Sequence, residues 1–219
     1  MEGEPQREWH SFTYLRSKKE HRPPSILSRE EVFRILKHIK TFQNFACLSM
    51  IYACGLRISE SLGLQVSDID DNRMIVHVHR GKGAKDRTVP LPEESLRLLR
   101  RYWTTHRNPT FLFPALGRGH NRGQTAKDPM AISSVQGAFR AARFAAGILK
   151  RKVSVHTLRH CHATHLLEGG VNPRIVQRTM GHSTLETTMV YFHLTQKGTE
   201  DAYQIINSTM RGFHYDDAR

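Results

Sequence analysis

Residues 153–170 read VSVHTLRHCHATHLLEGG, a short run that holds His156, His160, His162, His165, Arg159 and Cys161. Side chains of these types can hold a metal ion, grip a phosphate, or form one face of an ordinary helix. On a helix, His156 and His160 share a face, as do Arg159 and His162. A histidine pair four residues apart can bind zinc. Here the intervening residues are Thr157, Leu158 and Arg159, without the glutamate of an HExxH motif. An arginine beside a dication would add repulsion, so neither a metal nor another cofactor is expected. A histidine-rich surface helix accounts for His165 and for His162, but not for HTLRH beside other special residues.

The phosphate reading draws on more of the chain. Arginine grips a phosphate through two oxygens, and histidine can donate or accept at the same centre. Arg57 opens a short helix, Arg159 lies within one, and His182 precedes another, whose N-terminus itself favours an anion. Nine residues beyond His182 stands Tyr191. A phenol has a pKa of about 10, so it attacks at neutral pH only if its developing charge is stabilised or its proton removed. Arginines and histidines gathered around a phosphate would do both. Of the six tyrosines, only Tyr191 follows HxxR and GH at suitable distances.

Charge supports a polyanionic partner. The 219 residues carry 33 Lys and Arg against 20 Asp and Glu, a formal net charge of +13, and nucleic acid is the first candidate. No stretch approaches the roughly 20 apolar residues of a membrane span, and the opening MEGEPQREWH is too polar for a secretion signal. Three cysteines without framework spacing fit a reducing compartment, so a cytoplasmic, nucleoid-associated protein is expected.

The elements that must position these groups are mostly helical. Ser28 and Glu31 form a capping box ahead of Val32, Ile35, Leu36 and Ile39. A second helix is predicted from about Phe45 to Gly55, and RISESLGL forms a third. RMIVHVHR and DRTVPLP make an antiparallel hairpin around GKGAK. PEESLRLLRRYWTTH is helical again, and residues 107–130 form a long connection. Helices follow at about 133–146, 156–168, 173–180, 183–191 and 199–211, with Ser183 and Glu186 as a second capping box. The fold class is mainly α with a small antiparallel β-sheet. Residues 1–24 read as a linker, 25–212 as one domain, and 213–219 as a tail.

Three segments, ACGLRISE, GKGAKDRTVP and HTLRHCHATHLLEGGVNPRIVQRTMGHSTLETTMVYFHL, occur in the order found in the catalytic domains of tyrosine recombinases, the group of phage integrases and Xer recombinases. The resemblance covers about residues 25–210, and its second half is most similar to integrases of integrons and mobile elements. It implies that Arg57 and Arg159 hold the non-bridging oxygens of a scissile DNA phosphate. Tyr191 would attack phosphorus to give a 3′-phosphotyrosyl link and a free 5′-hydroxyl, and Lys82 (rather than Lys85) would protonate the leaving 5′-oxygen. His156 would serve as acid–base partner near the nucleophile, His182 would hydrogen-bond a phosphate oxygen, and Glu60 would support Arg57 from behind. A second 5′-hydroxyl then attacks the phosphotyrosine, an exchange of diesters that needs no ATP and no metal.

The resemblance further implies double-stranded DNA as partner and a tetrameric synapse on it. The family's amino-terminal helical domain has no counterpart here beyond REWHSFTYLRSKKEHRPPS, which looks like that domain's end and a linker. The protein alone is therefore expected to be monomeric, with its 199–211 helix mobile or folded back in cis. A type IB topoisomerase-like enzyme would share the chemistry but reseal the same strand. A non-catalytic DNA-binding fragment would bind without forming an adduct.

Overall fold

The computed structural model describes residues 25–79, 86–116 and 123–192. The chain runs α1 (Arg29–Lys37), α2 (Phe42–Cys54), α3 (Ile58–Leu62), a 3-10 turn (Val66–Asp68), β1 (Ile69–Asp70), β2 (Ile75–Val78), β3 (Arg87–Pro90), α4 (Glu93–Trp103), α5 (Ile132–Ala145), α6 (Val155–Glu168), α7 (Pro173–Met180) and α8 (Leu185–Phe192). This is the expected mainly helical fold with one small sheet. Among the described residues no helix is long and apolar enough to cross a membrane. Lys82, Lys85, the 199–211 helix and the expected linker and tail lie outside the described residues.

Helix starts follow local chemistry. Ser28 Oγ accepts from the Glu31 amide at 3.2 Å, and Glu31 Oε2 accepts from the Ser28 amide at 2.9 Å, which closes the expected capping box. Helix α2 begins at Phe42, three residues earlier than expected, because Thr41 Oγ1 accepts from the Asn44 amide and caps it. Helix α8 begins at Leu185, so Ser183 stands outside the first turn, where Thr184 and Thr187 share a hydroxyl contact of 3.1 Å.

The sheet has the order β1-β2-β3 and is antiparallel throughout. Val76 pairs with Val89 and Val78 with Arg87, so the period of two turns Val76, Val78 and Val89 into the core. Strand β1 is too short for periodicity to reveal, and it joins only through Ile69↔Val76 and Asp70↔Ile75.

Two helices are buried on nearly every side. Helix α2 packs against α4, α5 and α6, and α6 packs in turn against α7 and α8. A large core gathers α1 to α6 with the sheet. A second, smaller cluster, Ala163, Leu167, Val176, Met180 and Tyr191, fastens α7 and α8 to α6. Burial overturns the surface reading of His162 and His165. His162 and His165 are 9% and 7% exposed, and His165 bridges Tyr52 Oη (2.9 Å) and the Leu27 carbonyl (3.0 Å). Cys161 is fully buried and its Sγ accepts from the Leu27 amide at 3.2 Å.

Gly55 ends α2 in the left-handed region at φ 61°. A Cβ there would lie 2.5 Å from the His162 ring and 2.8 Å from Met180 Sδ. Gly55→Ala combines the left-handed penalty with overpacking, a destabilisation of about 2–5 kcal/mol. Thermal unfolding should show a melting temperature lower by roughly 5–15 °C. A shift within about 1 °C would mean that the α2–α6–α7 junction yields freely.

Candidate active site

The end of α2, the start of α3, the middle of α6 and the α7–α8 turn meet at one place. Arg57 is the residue before α3, with its side chain 41% exposed. Arg159 comes from α6 and is 2% exposed. Its guanidinium donates to the Gly55 carbonyl through Nη1 and to the Met180 carbonyl through Nη2 at 2.6 Å, which fixes the fork between the ends of α2 and α7. Burial, then the nearby Arg57, lower the Arg159 pKa to about 10, so it stays charged at neutral pH.

Glu60 lies behind both arginines. Its Oε1 accepts from Arg57 Nη1 at 2.7 Å, and its Oε2 accepts from the Arg57 amide at 2.8 Å and stands 3.7 Å from Arg159 Nη1. Arg87, a residue the sequence reading did not single out, donates to Oε1 and Oε2 at 2.8 Å each and to the Thr179 carbonyl through Nε at 2.8 Å. Burial alone would raise the Glu60 carboxyl. The bonds from Arg87 and Arg57 outweigh burial and hold it at about 2. This carboxylate thus binds β3 to α3 and offsets positive charge that would otherwise repel. The signal for Arg87 was its position two residues from Val89, on the inward face of a strand, where an arginine needs a partner.

Tyr191 reaches this place from α8 and is 5% exposed. Burial raises its phenol pKa, and Arg159 and Arg57 partly counter that. Its Oη is 2.7 Å from His160 Nδ1. His156, the histidine expected beside the nucleophile, instead sets its ring edge-on to His160 with centroids 4.6 Å apart, and is itself exposed. His182 stacks on Tyr191 at 5.9 Å and 21°, with its Nδ1 2.9 Å from Thr188 Oγ1. Arg57, Glu60, His156, Arg159, His182 and Tyr191 are therefore brought into one neighbourhood. No group of three or more His, Cys, Asp or Glu among the described residues is placed to hold a metal ion.

Clefts open on two sides. One of about 610 Å³ lies between β3 and the α7–α8 turn and includes Arg87, Arg178 and His182; the other, about 520 Å³, includes Arg140, Arg143 and His156. Just beyond β2, His79 bridges Asp68 Oδ1 at 2.9 Å and Asp86 Oδ2 at 3.1 Å. Those two contacts raise its pKa.

Three buried or half-buried histidines move the opposite way. Burial first, and neighbouring positive charge second, hold His160, His162 and His182 at about 4, apart from one backbone contact that favours charge on His162. An unfolded histidine titrates near 6.5, so between these values the unfolded chain binds more protons. Stability from these groups is complete above about pH 6.5 and is lost as pH falls toward 4. His79 acts oppositely but is largely exposed, so it offsets little. The melting temperature should fall steeply from pH 7 to 4.5 by calorimetry. A flat profile would contradict the burial of these rings.

Residues 25–197 match the model of the phage integrase family. A putative integrase/recombinase of Sinorhizobium fredii is 40% identical over 177 residues, covering 81% of this chain and 54% of that protein. Tyrosine recombinase XerD of Oceanobacillus iheyensis is 37% identical over 201 residues, covering 85% and 63%. The crystal structure of XerA recombinase superposes with a TM-score of 0.69 at 29% identity, over 89% of this chain and 67% of that one. The chain thus spans somewhat more than half the length of these two sequence relatives.

Proposed function

Since the chain belongs to the phage integrase family, the tyrosine recombinases, we propose that it cleaves and rejoins double-stranded DNA at a specific site through a phosphotyrosine. The observation that carries this reading is the convergence of two arginines, one of them buried, on a tyrosine delivered by a separate helix. A scissile phosphate takes the place between Arg57 and Arg159, where fixed guanidinium donors match the charge that develops on its equatorial oxygens. In the tautomer in which Thr188 donates to Nδ1 of His182, Nε2 carries hydrogen and donates to one of those oxygens. His156, on the exposed side of α6, serves another.

Tyr191 Oη attacks phosphorus and the 5′-oxygen leaves, with Lys82 as its proton donor. Glu60 holds Arg57 and, with Arg87, ties β3 to α3 beside the site. The net charge of +13 supports DNA as the polyanion. The tetrameric assembly expected on DNA would bring four such sites together, while the protein alone is monomeric.

A nicked duplex that carries the target sequence tests the reading, because the fragment beyond the nick diffuses away after cleavage and traps the adduct. A protein–DNA band on a denaturing gel is the expected result. Relaxation of supercoils without exchange between sites would select a topoisomerase-like activity, and binding without an adduct would select a non-catalytic fragment.

A further inference from the structure

We propose that His160 is the catalytic base for Tyr191: its Nδ1 takes the phenolic proton as Oη bonds to phosphorus, and returns it when the strand is resealed. The inference rests on the strand-transfer reading above and gives to His160 the acid–base role beside the nucleophile that the resemblance gives to His156.

Geometry carries it. The phenol has one hydrogen to give, and among the described residues the nitrogen it meets is His160 Nδ1, at 2.7 Å with the rings tilted by 39°. The His156 ring meets His160 instead, perpendicular at 88° with centroids 4.6 Å apart. The two histidines share one helix face four residues apart and divide the work. His156 lines the cleft that includes Arg140 and Arg143, and His160 meets the nucleophile. The edge contact also limits the rotamers of His160, so the acceptor is held in place before DNA arrives.

The surroundings keep the ring able to accept. Burial, then the positive fields of His156 and Arg159, hold His160 neutral at physiological pH. The charged or titratable groups around it are His156 and Arg159 on α6, Tyr191 on α8 and His182 in the turn before α8. A bound phosphate brings negative charge to this set, which favours the imidazolium as the reaction proceeds. The step balances. The Oη–H bond breaks and its proton goes to Nδ1, Oη–P forms, and P–O5′ breaks with the 5′-oxygen protonated by its own donor. Resealing runs the same transfers backwards, and the His160 imidazolium protonates the departing phenolate.

The test separates proton transfer from mere packing. His160→Asn retains a hydrogen-bonding group but cannot take up a proton, and His160→Gln serves the same comparison if the asparagine variant melts early. Each is combined with Tyr191 or with a fluorinated tyrosine at position 191 whose phenol is already ionised at the assay pH. With ordinary tyrosine, cleavage of the nicked substrate should slow by about 10²–10⁴-fold. With the fluorinated phenol the loss should shrink to less than about tenfold, because no proton remains to be removed. An equal loss with both phenols would make His160 a packing residue, and a variant as fast as wild type would remove it from the chemistry. Failure of the wild-type protein itself to form an adduct would instead sink the strand-transfer reading.

Discussion

Tyr191→Phe is expected to abolish the covalent DNA adduct while DNA binding and the fold persist. The substitution removes one oxygen and leaves the ring, which packs with Ala163, Leu167, Val176 and Met180 and stacks on His182. The lost contact is the hydrogen bond to His160, worth about 1–3 kcal/mol if the imidazole nitrogen stays dry. That cost lies well within the stability of a domain of this size. In the proposed complex, binding is expected to rest on Lys and Arg contacts to phosphates, which removal of one phenolic oxygen leaves in place. Among the described residues no other tyrosine replaces the nucleophile, because Tyr102 is buried in the other core and Tyr52 is tied to His165. The denaturing gel should show no protein–DNA band, and a gel-shift titration should agree with wild type within about threefold. An adduct that persists would move the nucleophile elsewhere.

Arg159→Ala is expected to slow cleavage by about 10³-fold or more, with a smaller effect on binding. Loss of one donor to a developing oxyanion costs about 10²–10³-fold, and a buried guanidinium supplies charge in addition to two hydrogens. The side chain is 2% exposed and already fixed between two carbonyls, so no reorganisation is needed when negative charge builds. Its removal leaves the Gly55 and Met180 carbonyls unpaired, so Arg159→Lys separates chemistry from folding. Lysine retains the charge without the planar fork, and it should restore much of the melting temperature but little of the rate. A loss confined to affinity, with the single-turnover rate on saturated DNA unchanged, would show that Arg159 binds the ground state and transition state equally.

The sequence by itself determined whatever is encoded within a turn or two of chain. The capping box at Ser28 and Glu31, the left-handed stop at Gly55 and the two long strands are local bargains between neighbouring groups, and all three are present. The order of ACGLRISE, GKGAKDRTVP and HTLRH through Tyr191 was also legible, because the spacing of reactive types survives any uncertainty about where helices begin. The choice of histidine was not. Sharing a face of α6 places His156 and His160 together, but only the rotation of α6 against α8 decides which ring meets the phenol, across 31 residues. The same holds for Arg87, whose partner Glu60 lies 27 residues away on another element. The burial of His162 and His165 belongs here too. Helix α6 is buried over most of its surface because α2 covers one side and α7 and α8 another, and polar residues in its sequence hide that. Tertiary packing alone decided which of several equivalent side chains face each other, since that depends on helix rotation and no local pattern records it.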